Sequence, residues 1–132
     1  MKISTKGRYA LRMMLDIARQ GENAVVSLKD ISSRQDISVK YQEQIVMQLT
    51  RAGYLTSVRG ASGGYKLARK PTEYGIGEIL RTIEGSLAPI ACLDGDENQC
   101  ARCDKCETLW FWKGLDDVIN QYVDRYTLQD LL

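Results

Sequence analysis

For most of its length this chain spaces its apolar residues as helices do, and one short stretch switches to the period of a strand. Ser4 or Thr5 can cap a first helix running to about Gln20. In it Leu11, Met14, Leu15 and Ala18 fall at i, i+3, i+4 and i+7 and predict the buried stripe. Gly21 stops that helix. Ser27 caps a second, shorter helix from Leu28 to about Gln35, with Leu28 and Ile31 facing inward. Beyond Asp36 and Ile37, Ser38 caps a third helix to about Ala52, whose apolar face is Tyr41, Ile45, Val46 and Leu49, with Gly53 as its stop. Two helices joined by a tight turn, the second longer, make a helix-turn-helix pattern. Many small helical domains contain such a pair, so the pattern alone is a weak sign of DNA binding.

The stretch from Tyr54 to Arg69 supplies context. Leu55, Ser57 and Arg59 alternate with Thr56 and Val58, and Tyr65 and Leu67 alternate with Lys66 and Ala68, around a glycine-rich loop without an acid. This reads as a hairpin. A hairpin after the second helix of a helix-turn-helix is a wing, and Arg59 at its tip could place a guanidinium in a narrow minor groove. The loop Gly60-Ala-Ser-Gly-Gly matches neither nucleotide-binding glycine pattern and precedes no helix, so it is not read as a phosphate cradle.

Pro71 ends this half of the chain. A helix from about Gly75 to Glu84 follows, with Ile76, Ile79, Leu80 and Ile83 on one side, and is expected to pack under the wing. A connector from Gly85 to Ala91 leads to a last long helix from Glu107 to Tyr126. Its apolar stripe, Leu109, Trp112, Leu115, Val118, Ile119, Tyr122, Val123 and Tyr126, is too wide for a free helix. A second copy of the chain in a two-fold dimer is the economical partner, and packing back on the domain is the alternative. Thr127 can cap a final turn from Leu128 to Leu132. The expected fold is mainly α with a small β-hairpin wing: a winged helix-turn-helix domain (1–86), a cysteine-rich loop (87–106), and a dimerisation helix with a C-terminal turn (107–132).

Charge sharpens the picture. The net charge is +1, yet residues 1–70 carry thirteen Lys/Arg against five Asp/Glu, a balance of +8, and residues 71–132 carry five against twelve, a balance of −7. The basic half suits a phosphate backbone, from which the acidic half should point away. There is no histidine, which removes His–Asp catalysis and His metal ligands, and no catalytic constellation is visible. The first residues lack the apolar run of a secretory signal, and no segment approaches the roughly 18 apolar residues of a membrane span. A cytoplasmic protein with reduced thiols is therefore expected.

The N-terminal part of the second helix of the pair would face the major groove, which nominates Ser38, Lys40, Tyr41, Glu43 and Gln44. Lys40 and Tyr41 suit phosphates, Gln44 can pair with an adenine edge, and Glu43 can accept from a cytosine amine. Because its carboxylate repels phosphates and unsuitable bases, Glu43 discriminates more than it attracts. Lys2, Thr5 and Gly60 complete the expected DNA-binding set with Arg59.

All four cysteines, Cys92, Cys100, Cys103 and Cys106, lie within fifteen residues. The last three read C-x2-C-x2-C, close to the run by which ferredoxins hold iron–sulfur clusters. Two disulfides are disfavoured in a reducing compartment. Spacing alone leaves zinc and iron–sulfur both open, although structural zinc sites usually offer two separated C-x2-C pairs. A small electron carrier is a rival of another class.

The opening Met-Lys-Ile-Ser-Thr-Lys-Gly-Arg-Tyr-Ala, Tyr41-Gln-Glu-Gln44, Val58-Arg-Gly-Ala-Ser-Gly-Gly-Tyr65 and the late cysteines resemble the winged-helix family of bacterial regulators that includes IscR, NsrR and CymR, most of all its IscR branch. The resemblance covers nearly the whole chain. It implies a homodimer swapping its long helix, palindromic double-stranded DNA as partner, a cluster near the dimer interface, and control of cluster-assembly genes, as repressor or activator. It also implies sequence reading by Glu43 and Arg59, and cluster ligation by Cys92, Cys100 and Cys106. Such proteins often add a histidine three residues after the last cysteine, where this chain has Leu109. Cys103 is the obvious replacement, giving an all-cysteine site. A [2Fe–2S] cluster is favoured over [4Fe–4S], which the NsrR-like members carry. A thiol- or zinc-based regulator with the same DNA reader is the alternative.

Overall fold

The computed structural model describes residues 2–132. Helices α1 (Thr5–Arg19), α2 (Leu28–Gln35) and α3 (Val39–Arg51) lead into strands β1 (Leu55–Val58) and β2 (Gly64–Leu67), then α4 (Ile76–Glu84) and α5 (Leu109–Arg125). Short 3-10 turns cover Pro71–Glu73, Ala91–Leu93 and Leu128–Leu131. Three serines start the first three helices by one device. The hydroxyls of Ser4, Ser27 and Ser38 accept from the amides of Gly7, Asp30 and Tyr41 at 3.0, 3.1 and 3.2 Å. Each such cap contributes about 1 kcal/mol. The turn between α2 and α3 is made by Asp36, in the left-handed region at φ 57°, which a short polar side chain tolerates.

The core gathers Ala10, Met13, Met14 and Ile17 of α1 with Ile31, Ile37, Ile45, Val46 and Leu49 of the helical pair and Ile76, Ile79 and Leu80 of α4. The buried face of α1 therefore runs one position earlier than expected. Leu11, Leu15 and Ala18 are only half-buried at its edge. The reason is tertiary: α1 is touched by α2, α3 and α4 together, so its apolar band must be wider than one stripe. The buried face also holds a carboxylate, Asp16, only 2% exposed.

Asp16 accepts a forked pair of bonds from Arg34, the shorter at 2.7 Å, and one from Gln35 at 2.9 Å, fastening α1 to α2. Arg12 donates in turn to the Gln35 carbonyl. Burial pushes the Asp16 carboxyl up, but bonds from Arg34 and Gln35 and the charges of Arg34 and Arg19 outweigh it and hold it below its ordinary value. A depressed native value means stability that is present at neutral pH and lost as pH falls below 3.8 toward that native value. Asp16→Asn should cost about 2 kcal/mol at pH 7, moderated because Arg34 stays 39% exposed and can hydrate. The variant should also lose part of the wild-type stability change between pH 5 and acid, an effect urea titrations at two pH values would read.

β1 and β2 pair antiparallel, Leu55 opposite Leu67 and Val58 opposite Gly64. Val26 extends the ladder by exchanging two backbone bonds with Tyr65, at 2.9 and 2.8 Å. Gly64 lies so close to the Val26 carbonyl that any Cβ would collide with backbone there. The hairpin is thereby held to the helical body at its second strand and left free at its tip.

α4 lies mainly against α1, α3 and α5, and Ile76, Ile79 and Leu80 share one core with Leu55 of the hairpin, as expected of a helix in the same core as the wing. A stack adds a further link to the hairpin. The Arg69 guanidinium sits 5.1 Å from the Tyr54 ring centre and 4.6 Å from that of Tyr74 and pairs with Glu78 at 3.1 Å. Tyr74, fully buried, donates to the Tyr54 carbonyl at 2.7 Å.

The wide stripe of α5 resolves into two faces. Ile119, Val123 and Tyr126 pack on the core, followed by Leu128, which is fully buried. Arg81 of α4 secures this face by reaching Asp124 at 2.8 Å and Asn120 at 2.7 Å. Phe111, Leu115, Val118 and Tyr122, at i, i+4, i+7 and i+11, form a second face left to solvent beside Trp110. Packing back on the domain, the alternative expected for α5, thus holds for its inward face.

Candidate nucleic-acid interface and cysteine loop

The α2–α3 pair and the hairpin set the nominated DNA readers on one helix and one loop. Lys40, Glu43 and Gln44 are exposed on the first turns of α3. Ser38 is exposed too, but its hydroxyl is engaged as the cap. Tyr41 is half-buried and meets the Tyr9 ring edge-on at 5.6 Å. It is therefore part packing and part surface. Gln42 faces the other way, fully buried, donating to the carbonyls of Leu28 and Ile37 at 3.1 and 2.9 Å. That amide binds α3 to the turn before it and fixes which side of α3 faces out. The alternation of α3 gave no hint of it, because an internal glutamine looks like a surface one.

At the wing, Arg59 and Gly60 are exposed, with Gly60 at φ 112°. Lys2 and Thr5 are exposed at the N-terminus, Thr5 accepting from Arg8 at 3.1 Å. A groove of about 450 Å³ separates α3 from the hairpin, with Glu43, Met47, Arg51, Ser57 and Tyr65 on its walls. Met47, Arg51 and Ser57 were not among the expected readers. Their signal was available for two of them, since Met47 and Arg51 follow Glu43 at four-residue steps.

The cysteine loop leaves α4 at Gly85, whose φ of 83° turns the chain out of the helix. Just before it, Glu84 accepts from the Ser4 amide at 3.0 Å and hydroxyl at 2.6 Å, tying the mouth of the loop to the start of α1. All four cysteines are free thiols, Cys92 and Cys103 half-buried and Cys100 and Cys106 exposed. The Asn98 side chain accepts from the Cys100 amide at 2.9 Å, and the Cys103 amide bonds the Cys100 carbonyl at 3.1 Å, so the last three cysteines are wound through tight turns. Cys106 lies beside Thr108 at the start of α5, its sulfur 3.6 Å from that hydroxyl. The Thr108 hydroxyl, the Thr108 and Leu109 backbone and the charge of Arg102 hold this thiol below its ordinary value. Among the described residues no group of three or more Cys, Asp or Glu side chains converges closely enough to hold a metal ion. The loop thus offers four soft donors, one of them biased toward thiolate, without an assembled coordination shell. In kind they fit a thiophilic metal or cluster, because metal sites commonly close only as the metal binds. Leu109, where the resemblance to IscR implied a histidine, is half-buried and cannot ligate.

No helix among the described residues is long and apolar enough to cross a membrane. The sequence profile of the Rrf2 family, described as iron-dependent transcriptional regulator, matches residues 3–132. Protein rrf2 of Nitratidesulfovibrio vulgaris is 41% identical over 132 residues, all of this chain and 87% of that protein. The HTH-type transcriptional regulator IscR of Aliivibrio salmonicida is 39% identical over all of this chain and 77% of its own length. Among solved structures, CymR, the global cysteine regulator of B. subtilis, superposes with a TM-score of 0.80 at 37% identity, covering 99% of this chain and 95% of that one. T. potens IscR gives 0.76 at 36% identity, covering 99% and 85%. These likenesses identify the hairpin as the wing of a winged-helix fold and leave neither an enzyme nor an electron carrier in contention. Matched by the family profile from Ile3 to its last residue, the chain belongs to the Rrf2 family of bacterial DNA-binding transcriptional regulators.

Proposed function

We propose that this regulator acts as a cytoplasmic homodimer on palindromic DNA and that an iron–sulfur cluster, held by Cys92, Cys100, Cys103 and Cys106, controls its binding. Genes for cluster assembly are its expected targets, with [2Fe–2S] favoured over [4Fe–4S]. The observation that carries this reading is the position of the four free thiols, all in the segment that joins α4 to α5. In this scheme residues 1–86 read DNA, 87–106 sense, and 107–132 bring two copies together. Lys40 and Tyr41 take phosphates, Glu43 and Gln44 read base edges, and Arg59 with Gly60 enters the minor groove, with Lys2 and Thr5 adding contacts at the N-terminus. Bound there, a cluster would supply a redox- and oxygen-sensitive crosslink between the two ends of the loop.

The protein's own residues give that crosslink something to act on. One end of the loop is fixed to α1 through Glu84 and Ser4, and the other continues into α5, which Arg81 clasps to α4. Closing the loop would shift the balance between arrangements of the two recognition helices relative to successive grooves. The likeness to CymR, together with four free thiols in one loop, supports a second reading in which the thiols themselves or zinc do the sensing. Protein purified without oxygen distinguishes them: the cluster reading requires iron, acid-labile sulfide and a visible thiolate-to-iron absorption, which zinc or thiol forms lack. For the ligand set, Cys103→Ser is expected to lower cluster content severalfold and alter the spectrum. An unchanged spectrum would remove Cys103 from the set.

A further inference from the structure

Outside α5, the most exposed large apolar side chain among the described residues is Met47, at 57%. It sits on α3, where a solvent-facing position is normally polar. Val39, Glu43, Met47 and Arg51 recur at four-residue steps, so they form one ridge along the outer side of α3. Val39, first on the ridge, is 37% exposed. The ridge thus runs apolar, acidic, apolar, basic, and its middle members form one wall of the groove facing Ser57 and Tyr65 of the wing.

The occupant of that groove is indicated by charge and family: the surface belongs to the basic half of a DNA-binding regulator. In the major groove the base edges offer donors, acceptors and a single kind of apolar group, the 5-methyl of thymine. A carboxylate such as Glu43 finds its partner in the cytosine amine, whereas the thioether of Met47 finds none among donors and acceptors. Methionine is also unbranched and polarizable, able to settle on a small apolar group whose position varies with local DNA shape.

We propose that Met47 reads thymine, packing its side chain on the 5-methyl group of a thymine adjacent to the base pair faced by Glu43. The inference rests on α3 being the reading helix. It adds a specificity element that repels nothing and selects by burial: a cytosine, adenine or guanine edge at that place leaves Met47 half in water.

The test uses deoxyuridine, which keeps every hydrogen-bonding group of thymine and lacks only the methyl. In a selected operator, each thymine is replaced in turn by deoxyuridine and affinity is measured for the wild type, Met47→Ala and Lys40→Ala. One thymine per half-site should prove sensitive, with wild-type affinity falling about fourfold on its replacement, the value of one buried methyl at ~0.8 kcal/mol. Met47→Ala should bind the thymine operator about as weakly as the wild type binds the uridine one, and should no longer distinguish the two. Lys40→Ala should lose affinity on both while keeping the fourfold ratio. A wild type indifferent to uridine everywhere, or a Met47→Ala variant that keeps the discrimination, overturns the proposal. If Lys40→Ala binds as well as the wild type, the fault lies with the assignment of α3 as the reading helix. Met47 is exposed, so thermal melting of Met47→Ala should match the wild type.

Discussion

Val118→Glu should yield a folded monomer that no longer binds its operator tightly. Val118 is 62% exposed at the centre of the outer face of α5, between Leu115 and Tyr122, so the substitution removes nothing from the core of a single chain. In a dimer the same carboxylate would be buried against apolar side chains of the other copy, without a cation to pair it. Aromatic and aliphatic anchors at the centre of an interface commonly contribute 2 kcal/mol or more, and an unpaired buried charge costs further. A loss of about 3 kcal/mol, or at least a hundredfold in the dimer dissociation constant, is therefore expected. Sedimentation velocity reads it directly. Helical signal and melting should stay near wild type, because the inward face, Ile119, Val123 and Tyr126, is untouched. A Val118→Glu protein that sediments as a dimer would place the dimer contact elsewhere.

Arg59→Ala should cost roughly 1–3 kcal/mol of operator affinity, from about fivefold to more than a hundredfold, the range for an arginine that contacts base edges. The side chain is exposed at a hairpin tip whose second strand is held to the body by the Val26–Tyr65 exchange. Removing it therefore changes contact and not fold. Two further readouts characterise the contact, and the second separates groove insertion from simple attraction. The slope of log affinity against log salt should fall by about 1. The loss should be larger on operators whose wing-facing segment is A·T-rich than on those where it is G·C-rich, since narrow grooves concentrate the potential. An equal loss on both would make Arg59 a phosphate contact only.

Much of this architecture is legible in the chain because its local signals agree. Ser4, Ser27 and Ser38 stand where caps belong and act as caps, and Gly21 and Gly53 take the positive φ that their places as helix stops imply. What the sequence hides is what depends on neighbours. The inward band of α1 is centred on Ala10, Met13 and Ile17 because three helices surround it, which no periodicity count along one helix can show. Asp16 and Gln42 look like surface residues until Arg34 and the Leu28 and Ile37 carbonyls are brought to them. The eight apolar positions of α5 read as one stripe, and only the docking of α4 reveals which of them stay outside. Of the candidate site, the exposed positions nominated on α3 and the shared loop of the four cysteines follow from spacing. The exposure of Met47 does not, since its four-residue step from Glu43 places it on the outer side of α3 but does not show how far it stands in water.

Control by the loop between α4 and α5 of how the reading helices meet DNA has a direct measurement. Binding-site selection is run without oxygen on the cluster-loaded protein and on the same preparation after its iron is removed, followed by titration of the recovered palindromes with each form. Both forms should show the same helical signal and the same dimer, because neither the core nor the outer face of α5 includes a cysteine. They should nevertheless differ at least tenfold in affinity for one class of site. Identical site preferences and affinities in the two forms would contradict control through the cysteine loop.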